Sequence, residues 1–134
     1  MTSTEAMIVL NLLECIGPIT VRRLLEEFGL PEKILGASLG RLTGINGIGE
    51  EIAHSIGTWE QKVDLGAEIT RCESYGCQII TSLDEKYPSL LKQIYDPPIV
   101  LYFKGSISRA DQSGVAIVGS RKSTHYGRET ARKL

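Results

Sequence analysis

Two glycine-containing turns, each followed at once by a helix-forming stretch, constrain the first half of the chain most strongly. The stretches CIGPITVRRLL (residues 15–25) and NGIGEEIAHSI (residues 46–56) share one order: a small-residue turn, a central isoleucine, and apolar residues at helical spacing. The second follows the helix-hairpin-helix pattern, and the first is a looser copy with Cys15 in place of the first glycine. We predict that the two hairpins pack into one helical unit with Ile16 and Ile48 in its core.

The same two turns have two possible roles. Amide groups at a glycine turn and at the next helix's N-terminus attract phosphate, and this favours DNA binding. Glu50 and Glu51 follow the second turn and would repel a phosphate, while Pro18 removes one amide donor from the first. Arg22 and Arg23 lie downstream of the first turn and would attract one. The alternatives are DNA binding and a structural or protein-contact role.

The pattern of the chain changes from helical to alternating after residue 76. Short helices are predicted over residues 6–13, 18–28, 31–37, 39–42 and after residue 49, with a longer one over 60–76. CQIIT (77–81) and IVLYF (99–103) are typical of strands, with a short helix near Pro88 between them. A polar turn (104–114) then leads to a third predicted strand, VAIV (115–118), whose continuous apolar run is typical of a parallel sheet covered on both faces. We therefore predict an α+β chain with a helical domain at 1–75 and the start of an α/β doubly wound domain at 76–134.

A basic loop, GSRKSTHYGR (119–128), follows the third predicted strand. Residues 119–134 hold five basic residues and one acidic residue, a net charge of +4, whereas the whole chain carries −1. Ligands of open α/β sheets bind at the carboxyl ends of strands. There an arginine can donate hydrogen bonds to two phosphate oxygens at once, and a lysine adds a point charge. The alternative is that these cations are simply solvated. The candidate phosphate-binding residues are Gly119, Ser120, Arg121 and Lys122, and the candidate supporting residues are Ser123, Thr124, Tyr126, Gly127 and Arg128.

The remaining composition argues against several other classes of protein. The three cysteines, Cys15, Cys72 and Cys77, are odd in number and form no C-x-x-C pair, so we expect buried reduced thiols and no metal site. The loop matches neither the dinucleotide-binding nor the P-loop pattern, and we expect no cofactor. No apolar run approaches the roughly 18 residues of a membrane span, and we identify no export signal. A cytoplasmic protein is expected.

Five motifs in one order resemble the DNA-processing protein A (DprA/Smf) family. They are IGPITVRRLLEEFG (16–29), the glycine hairpin (45–56), DEKYPSLLKQIYDP (84–97), VLYFKG (100–105) and VAIVGSR (115–121). The resemblance implies a SAM-like helical domain followed by a Rossmann-like domain. It also implies non-enzymatic binding of single-stranded DNA in a pocket lined by the GSR loop, and delivery of the strand to the RecA recombinase in natural transformation. A homodimer is implied for the full-length family member.

Two further expectations follow from the last helix and from related folds. The helix predicted from about Tyr126 has no returning strand, so we expect the chain to be the N-terminal fragment of a longer protein. Rossmann-like enzymes of the lysine-decarboxylase-like group have similar phosphate sites, so the alternative function is an enzyme that acts on a nucleoside monophosphate. The acidic balance of the helical part also fits a protein-docking module, which is compatible with DNA binding.

Overall fold

The computed structural model describes residues 1–108 and 114–133, and these residues form nine helices and two strands. The helices are short, and six of them precede residue 63. The elements are α1 Ser3–Leu12, α2 Pro18–Phe28, α3 Pro31–Leu35, α4 Leu39–Thr43, α5 Glu50–Gly57, α6 Trp59–Lys62, α7 Leu65–Ser74, β1 Gln78–Thr81, α8 Ser89–Lys92, β2 Val100–Phe103 and α9 His125–Lys133.

The helix ends follow signals that are visible in the sequence. At α1 the Thr2 hydroxyl accepts a hydrogen bond from the Glu5 amide (3.2 Å), and the Glu5 carboxylate accepts one from the Thr2 amide (2.7 Å). These hydrogen bonds stabilise the ionised carboxylate and lower the pKa of Glu5. Helix α2 begins with Pro18 and ends at Gly29, whose φ of +76° is a conformation that favours glycine. The predicted helix at 18–28 is thereby confirmed to the residue.

The helices pack around one apolar core, which confirms the predicted helical unit. Its fully buried members come from α1 to α5, and they include Met7, Leu10, Val21, Leu24, Ile34, Leu42 and Ile56. Ile16 and Ile48, the central residues of the two glycine turns, are buried in the same core as predicted. Burying a leucine or isoleucine side chain stabilises a fold by about 1.5–3 kcal/mol, so this core is the main source of stability for residues 3–63.

The predicted long helix over residues 60–76 is wrong, because the chain breaks it into α6 and α7. Val63 has an extended backbone, and Asp64 caps α7 by accepting a hydrogen bond from the Ala67 amide (2.9 Å). An aspartate at this position competes with continuous helix because its carboxylate binds a free amide of the next helical turn.

Strands β1 and β2 confirm the two predicted strands but pair antiparallel, with Gln78 opposite Phe103 and Thr81 opposite Val100. The parallel sheet expected from the sequence is therefore wrong for this pair. The two ends of the connection between the strands lie side by side. The Ser82 amide, just after β1, donates to the carbonyl of Ile99, just before β2 (2.9 Å). The chain then runs in the opposite direction, as the ladder requires.

Two residues of the DEKYPSLL motif hold this connection in place. The Asp84 carboxylate accepts hydrogen bonds from the amide (2.6 Å) and the hydroxyl (2.8 Å) of Thr81. The Tyr87 hydroxyl donates to the Pro98 carbonyl (2.7 Å), and burial raises the pKa of Tyr87. The aspartate and tyrosine of this motif are therefore structural in the described chain.

One face of the β1–β2 pair packs against the helices. Ile99 and Val100 belong to the helical core, and Ile79 packs against it. Tyr102 lies opposite Ile79 in the ladder, on this face. Burial, the negative charge of Glu68 in α7 and a hydrogen bond with its carboxylate raise the pKa of Tyr102 to about 12. The strands and helices thus share apolar contacts across the predicted boundary at residue 75.

The third predicted strand is not formed. Residues 114–120 have no regular secondary structure, and Val115 and Val118 are 87% and 90% exposed. A strand needs a neighbouring strand for its backbone hydrogen bonds, and within the described residues the sheet contains only β1 and β2. The polar turn predicted before VAIV includes residues 109–113, which lie outside the described residues.

The described residues mix helices with a small two-stranded sheet, in agreement with an α+β chain. The SAM-like and Rossmann-like assignments, and the boundary at residue 75, remain predictions. Across residues 1–108 and 114–133 no helix combines the length and apolar character needed to cross a membrane.

Candidate nucleic-acid interface

The predicted site residues 119–124 form an exposed loop that leads directly into α9. Every residue from 114 to 126 is exposed, so the side chains of Arg121 and Lys122 face solvent. Helix α9 begins at His125, one residue before its predicted start, and carries Tyr126, Gly127 and Arg128 in its first turn. The structure thus places the candidate binding and supporting residues in one continuous segment.

Short-range hydrogen bonds hold the shape of this segment. The Ser120 hydroxyl donates to the Lys122 carbonyl (2.9 Å), and the Arg128 guanidinium donates to the Ser123 carbonyl (3.3 Å). The Thr124 hydroxyl accepts from the Gly127 amide (3.1 Å), which is the geometry of a helix N-cap. All three contacts lie within residues 120–128 and thus join near neighbours in the sequence.

The charges of this segment differ in how far they are neutralised. Directly after this segment, Arg132 pairs with Glu129 (2.8 Å), the one acidic residue of positions 119–134. Among the residues that the structure describes, Arg121 and Lys122 form no ion pair. Two unpaired cations beside a helix N-terminus create a positive surface that attracts an anion.

Tyr126 adds an aromatic surface to the same end of α9. Its side chain is 80% exposed and lies in the first turn of the helix, two residues after the loop. A β-carbon at Gly127 would lie 3.4 Å from the Thr124 hydroxyl oxygen, an ordinary contact distance, so the cap does not depend on glycine there. An exposed aromatic ring next to cations is an arrangement that single-strand binding proteins use to stack bases.

The two glycine turns have the same backbone design in the structure. Cys15 has a φ of +65° and Gly47 a φ of +83°, so the residue that replaces glycine in the first turn also adopts the left-handed conformation. Gly17 and Gly49 then act as N-caps of α2 and α5 with similar extended backbones. The looser sequence match at Cys15 therefore conceals a repeated geometry.

The expectation that all three cysteines are buried is wrong for Cys15. Cys72 is buried and Cys77 is half-buried, but Cys15 is exposed, and the three thiols are free. The Cys15 thiol donates to the Glu51 carboxylate (3.4 Å), and this hydrogen bond and charge raise the pKa of Cys15. Its position is explained by the turn, which turns the side chain away from the core and toward α5.

Arg23 joins helix α2 to the second glycine turn, a contact that the sequence did not predict. Its guanidinium donates to the Asn46 carbonyl (2.9 Å) and occupies the space into which a β-carbon at Gly47 would project. The two residues are 23 positions apart, so no local pattern indicated the contact. Because Arg23 binds a carbonyl of the second turn, this cation, which was predicted to attract a phosphate at the first turn, is used within the helical unit.

A groove lies on the other face of the β1–β2 pair and does not include the basic loop. Its volume is about 1250 Å³, and its walls include Ile80, Tyr87, Leu90, Phe103 and Ile107. Among the described residues no group of three or more histidine, cysteine or acidic side chains is arranged to hold a metal ion. The candidate site is thus an exposed, basic segment at residues 119–128 that lies outside this groove.

Comparisons with known proteins find relatives along much of the chain. The family model for DNA recombination-mediator protein A matches residues 78–134. A protein named Smf from Synechocystis sp. is 29% identical over 123 residues, which cover 89% of this chain and 31% of that protein. The DNA processing protein DprA of Bacillus subtilis is 38% identical over 60 residues, 44% of this chain and 20% of that protein.

A second kind of relative also matches. A protein named DNA ligase from Chlamydia trachomatis is 32% identical over 72 residues, which cover 54% of this chain and 11% of that protein. The chain spans less than a third of the length of each of these relatives. No solved structure gave a match.

Proposed function

The chain belongs to the DNA-processing protein A (DprA/Smf) family, and on that premise we propose that it binds single-stranded DNA through residues 119–128. The observation that carries the proposal is the loop itself, in which Arg121 and Lys122 are exposed and unpaired within the described residues, next to the capped start of α9. The DNA backbone presents one phosphate per nucleotide, which such a surface attracts without reading sequence.

Tyr126 supports a single strand over a duplex. Bases of a single strand are free to stack on an exposed aromatic ring, whereas bases of a duplex are already stacked. The proposal therefore assigns phosphate contacts to Arg121 and Lys122 and a stacking contact to Tyr126. Gly119 lies at the entry to the loop in open surroundings, and Ser123 and Thr124 lead into the helix start.

The proposed role is binding without catalysis, and it requires no cofactor. For the longer family members we propose that the bound strand is delivered to the RecA recombinase in natural transformation. The proposed active form is a homodimer, and the proposed location is the cytoplasm. The family description as a recombination-mediator protein supports this role. The same loop would also hold the phosphate of a nucleoside monophosphate, so the test includes that ligand.

The experiment is a fluorescence anisotropy titration of a labelled single-stranded oligonucleotide with the 134-residue chain at several salt concentrations. We expect salt-sensitive binding. Arg121→Ala and Lys122→Ala should each weaken it and lower the slope of log affinity against log salt by about 1, because one phosphate contact is lost. Arg22→Ala is the matched control, since Arg22 is exposed on α2 next to the first glycine turn.

The outcomes separate the candidate sites. Weakening by Arg22→Ala with no effect of Arg121→Ala would move the DNA site to the glycine turns. Absence of binding by the wild-type chain would reject the proposal. Displacement of the oligonucleotide by equimolar nucleoside monophosphate would favour the enzyme alternative.

A further inference from the structure

Two main-chain carbonyl groups of the basic loop are occupied by side-chain donors. Ser120 donates its hydroxyl proton to the carbonyl of Lys122 (2.9 Å). Arg128 donates from its guanidinium to the carbonyl of Ser123 (3.3 Å). Both carbonyl groups belong to residues that directly follow Arg121.

A phosphate group accepts hydrogen bonds and carries negative charge, so nearby carbonyl oxygens repel it. Sites that bind phosphate through the main chain present N–H groups and keep C=O groups away or occupied. In this loop the hydroxyl of Ser120 has a single proton, and that proton is already donated to a carbonyl. Ser120 is therefore unable to donate to a phosphate while this contact persists.

We propose that Ser120 and Arg128 are positioning residues, which occupy the carbonyl groups of Lys122 and Ser123 so that these two groups do not repel the phosphates of the DNA backbone. This inference rests on the proposed function. It changes the role of Ser120 from a phosphate ligand to a support of the loop, and it separates Arg128 from the phosphate contacts of Arg121 and Lys122.

Helix α9 provides a matched pair of arginines for the test. Arg128 and Arg132 lie four residues apart in α9, about one helical turn. Replacing either arginine by alanine deletes one positive charge. They differ in their partners: the Arg128 guanidinium contacts the loop carbonyl, whereas the Arg132 guanidinium contacts the Glu129 carboxylate (2.8 Å). A purely electrostatic role predicts similar effects of the two substitutions, and positioning predicts a larger effect at Arg128.

Ser120 provides a test that does not involve charge. Ser120→Ala removes the donor to the Lys122 carbonyl, and Ser120→Thr retains a hydroxyl at the same position. Because both variants keep Arg121 and Lys122, the number of phosphate contacts is unchanged. Positioning therefore predicts weaker binding by Ser120→Ala with the salt slope of the wild type, and recovery in Ser120→Thr.

The experiment measures affinity and salt slope for the single-stranded oligonucleotide with Ser120→Ala, Ser120→Thr, Arg128→Ala, Arg132→Ala and Arg121→Ala. We expect Ser120→Ala to bind about fivefold more weakly at unchanged slope, as for loss of one ordinary hydrogen bond. Arg128→Ala should weaken binding about fivefold more than Arg132→Ala does. Circular dichroism of each variant confirms that the helices are intact.

The results distinguish this inference from the proposed function. If Arg121→Ala weakens binding while Ser120→Ala equals the wild type and Arg128→Ala equals Arg132→Ala, the positioning role is overturned and DNA binding at the loop stands. A fall of about 1 in the salt slope for Arg128→Ala but not for Arg132→Ala would make Arg128 a direct phosphate ligand and would also overturn the inference. If Arg121→Ala has no effect, both proposals fail together.

Discussion

The helical region at residues 3–63 and the segment at 114–133 differ in how far they bury their large apolar side chains. In the helical region Leu24, Ile34 and Ile56 are fully buried, whereas Val118 in the later segment is 90% exposed. Both regions contain apolar runs with clear secondary-structure preference. The difference shows that a helix satisfies its own backbone and needs neighbours only for its side chains, whereas a strand needs neighbours for both.

The basic loop belongs to the exposed segment yet keeps a defined shape. Its hydrogen bonds join residues no more than five positions apart, so short-range contacts are enough to hold it. Stability and the proposed function therefore depend on different parts of the molecule. The core that stabilises the chain is formed mainly by side chains of the helices, and the surface proposed to bind DNA lies outside that core. Three predictions test this separation.

The largest expected effect is on the core. Leu24→Ala should lower the free energy of unfolding by about 2–5 kcal/mol, because it leaves a cavity between packed helices. Val118→Ala should change it by no more than about 0.5 kcal/mol, because the side chain is exposed. Urea unfolding followed by circular dichroism measures both. Equal losses for the two variants would show that residues 114–118 pack against the rest of the chain, which would remove the contrast.

The second effect concerns two glycines with different surroundings. Gly47→Ala should destabilise the chain by about 1–2 kcal/mol, because a φ of +83° is strained for alanine and the Arg23 guanidinium occupies the space of the new methyl group. Gly119→Ala should cost little, because no atom lies within 4 Å of a β-carbon there.

The measurement for the glycines is again chemical unfolding, with Arg23→Ala as the added control. In the Arg23→Ala background the clash is gone and only the backbone strain remains, so the cost of Gly47→Ala should fall. An unchanged cost would assign the whole effect to the backbone. A large loss for Gly119→Ala would contradict the view that the loop is open.

The smallest effect is the pH dependence of the strand–helix contact. The pKa of Tyr102 is raised to about 12 in the folded chain, so the folded state favours the neutral phenol. The resulting stabilisation is fully present below the unfolded pKa of about 10 and is lost as the pH rises through 12. Because Tyr102 is partly exposed, we expect about 1 kcal/mol after solvent screening.

Tyr102→Phe should therefore show a smaller loss of stability than the wild type between pH 10 and 12, measured by urea unfolding at each pH. Tyr126→Phe is the control, since its ring is 80% exposed and lies in the other region. If Tyr102→Phe and the wild type lose stability in parallel, the hydroxyl does not contribute to the contact between β2 and the helices.

Local signals were sufficient for most of the helices and for two strands. Pro18 and Gly29 mark the ends of α2, and the strand predicted at 77–81 forms as β1 at Gln78–Thr81. The prediction failed at Asp64, where a side-chain cap interrupts an otherwise helical pattern, and at VAIV, where the strand lacks a neighbour among the described residues. The antiparallel pairing also escaped prediction, because it depends on the fold of the connection between the strands rather than on the strands.

The candidate site divides in the same way. The clustering of Arg121, Lys122 and Arg128 is a matter of sequence proximity. The resemblance to a family pointed to Gly119, Ser120 and Arg121, with Lys122 as their neighbour. The hydrogen bond from Arg128 to the Ser123 carbonyl was not predictable from the sequence, since it depends on the geometry of the helix start.

The amino-acid sequence by itself determined the helix-rich first half, the repeated glycine turns, the concentration of positive charge after residue 118 and the resemblance to the DprA/Smf family. These properties depend on residue type and spacing over a few positions, which act through local backbone preferences and short-range electrostatics. Only the tertiary structure decided that Arg23 reaches the Asn46 carbonyl, that Cys15 faces Glu51 and that β1 and β2 run antiparallel. Such contacts join residues between 19 and 36 positions apart, and their geometry is set by how whole elements pack.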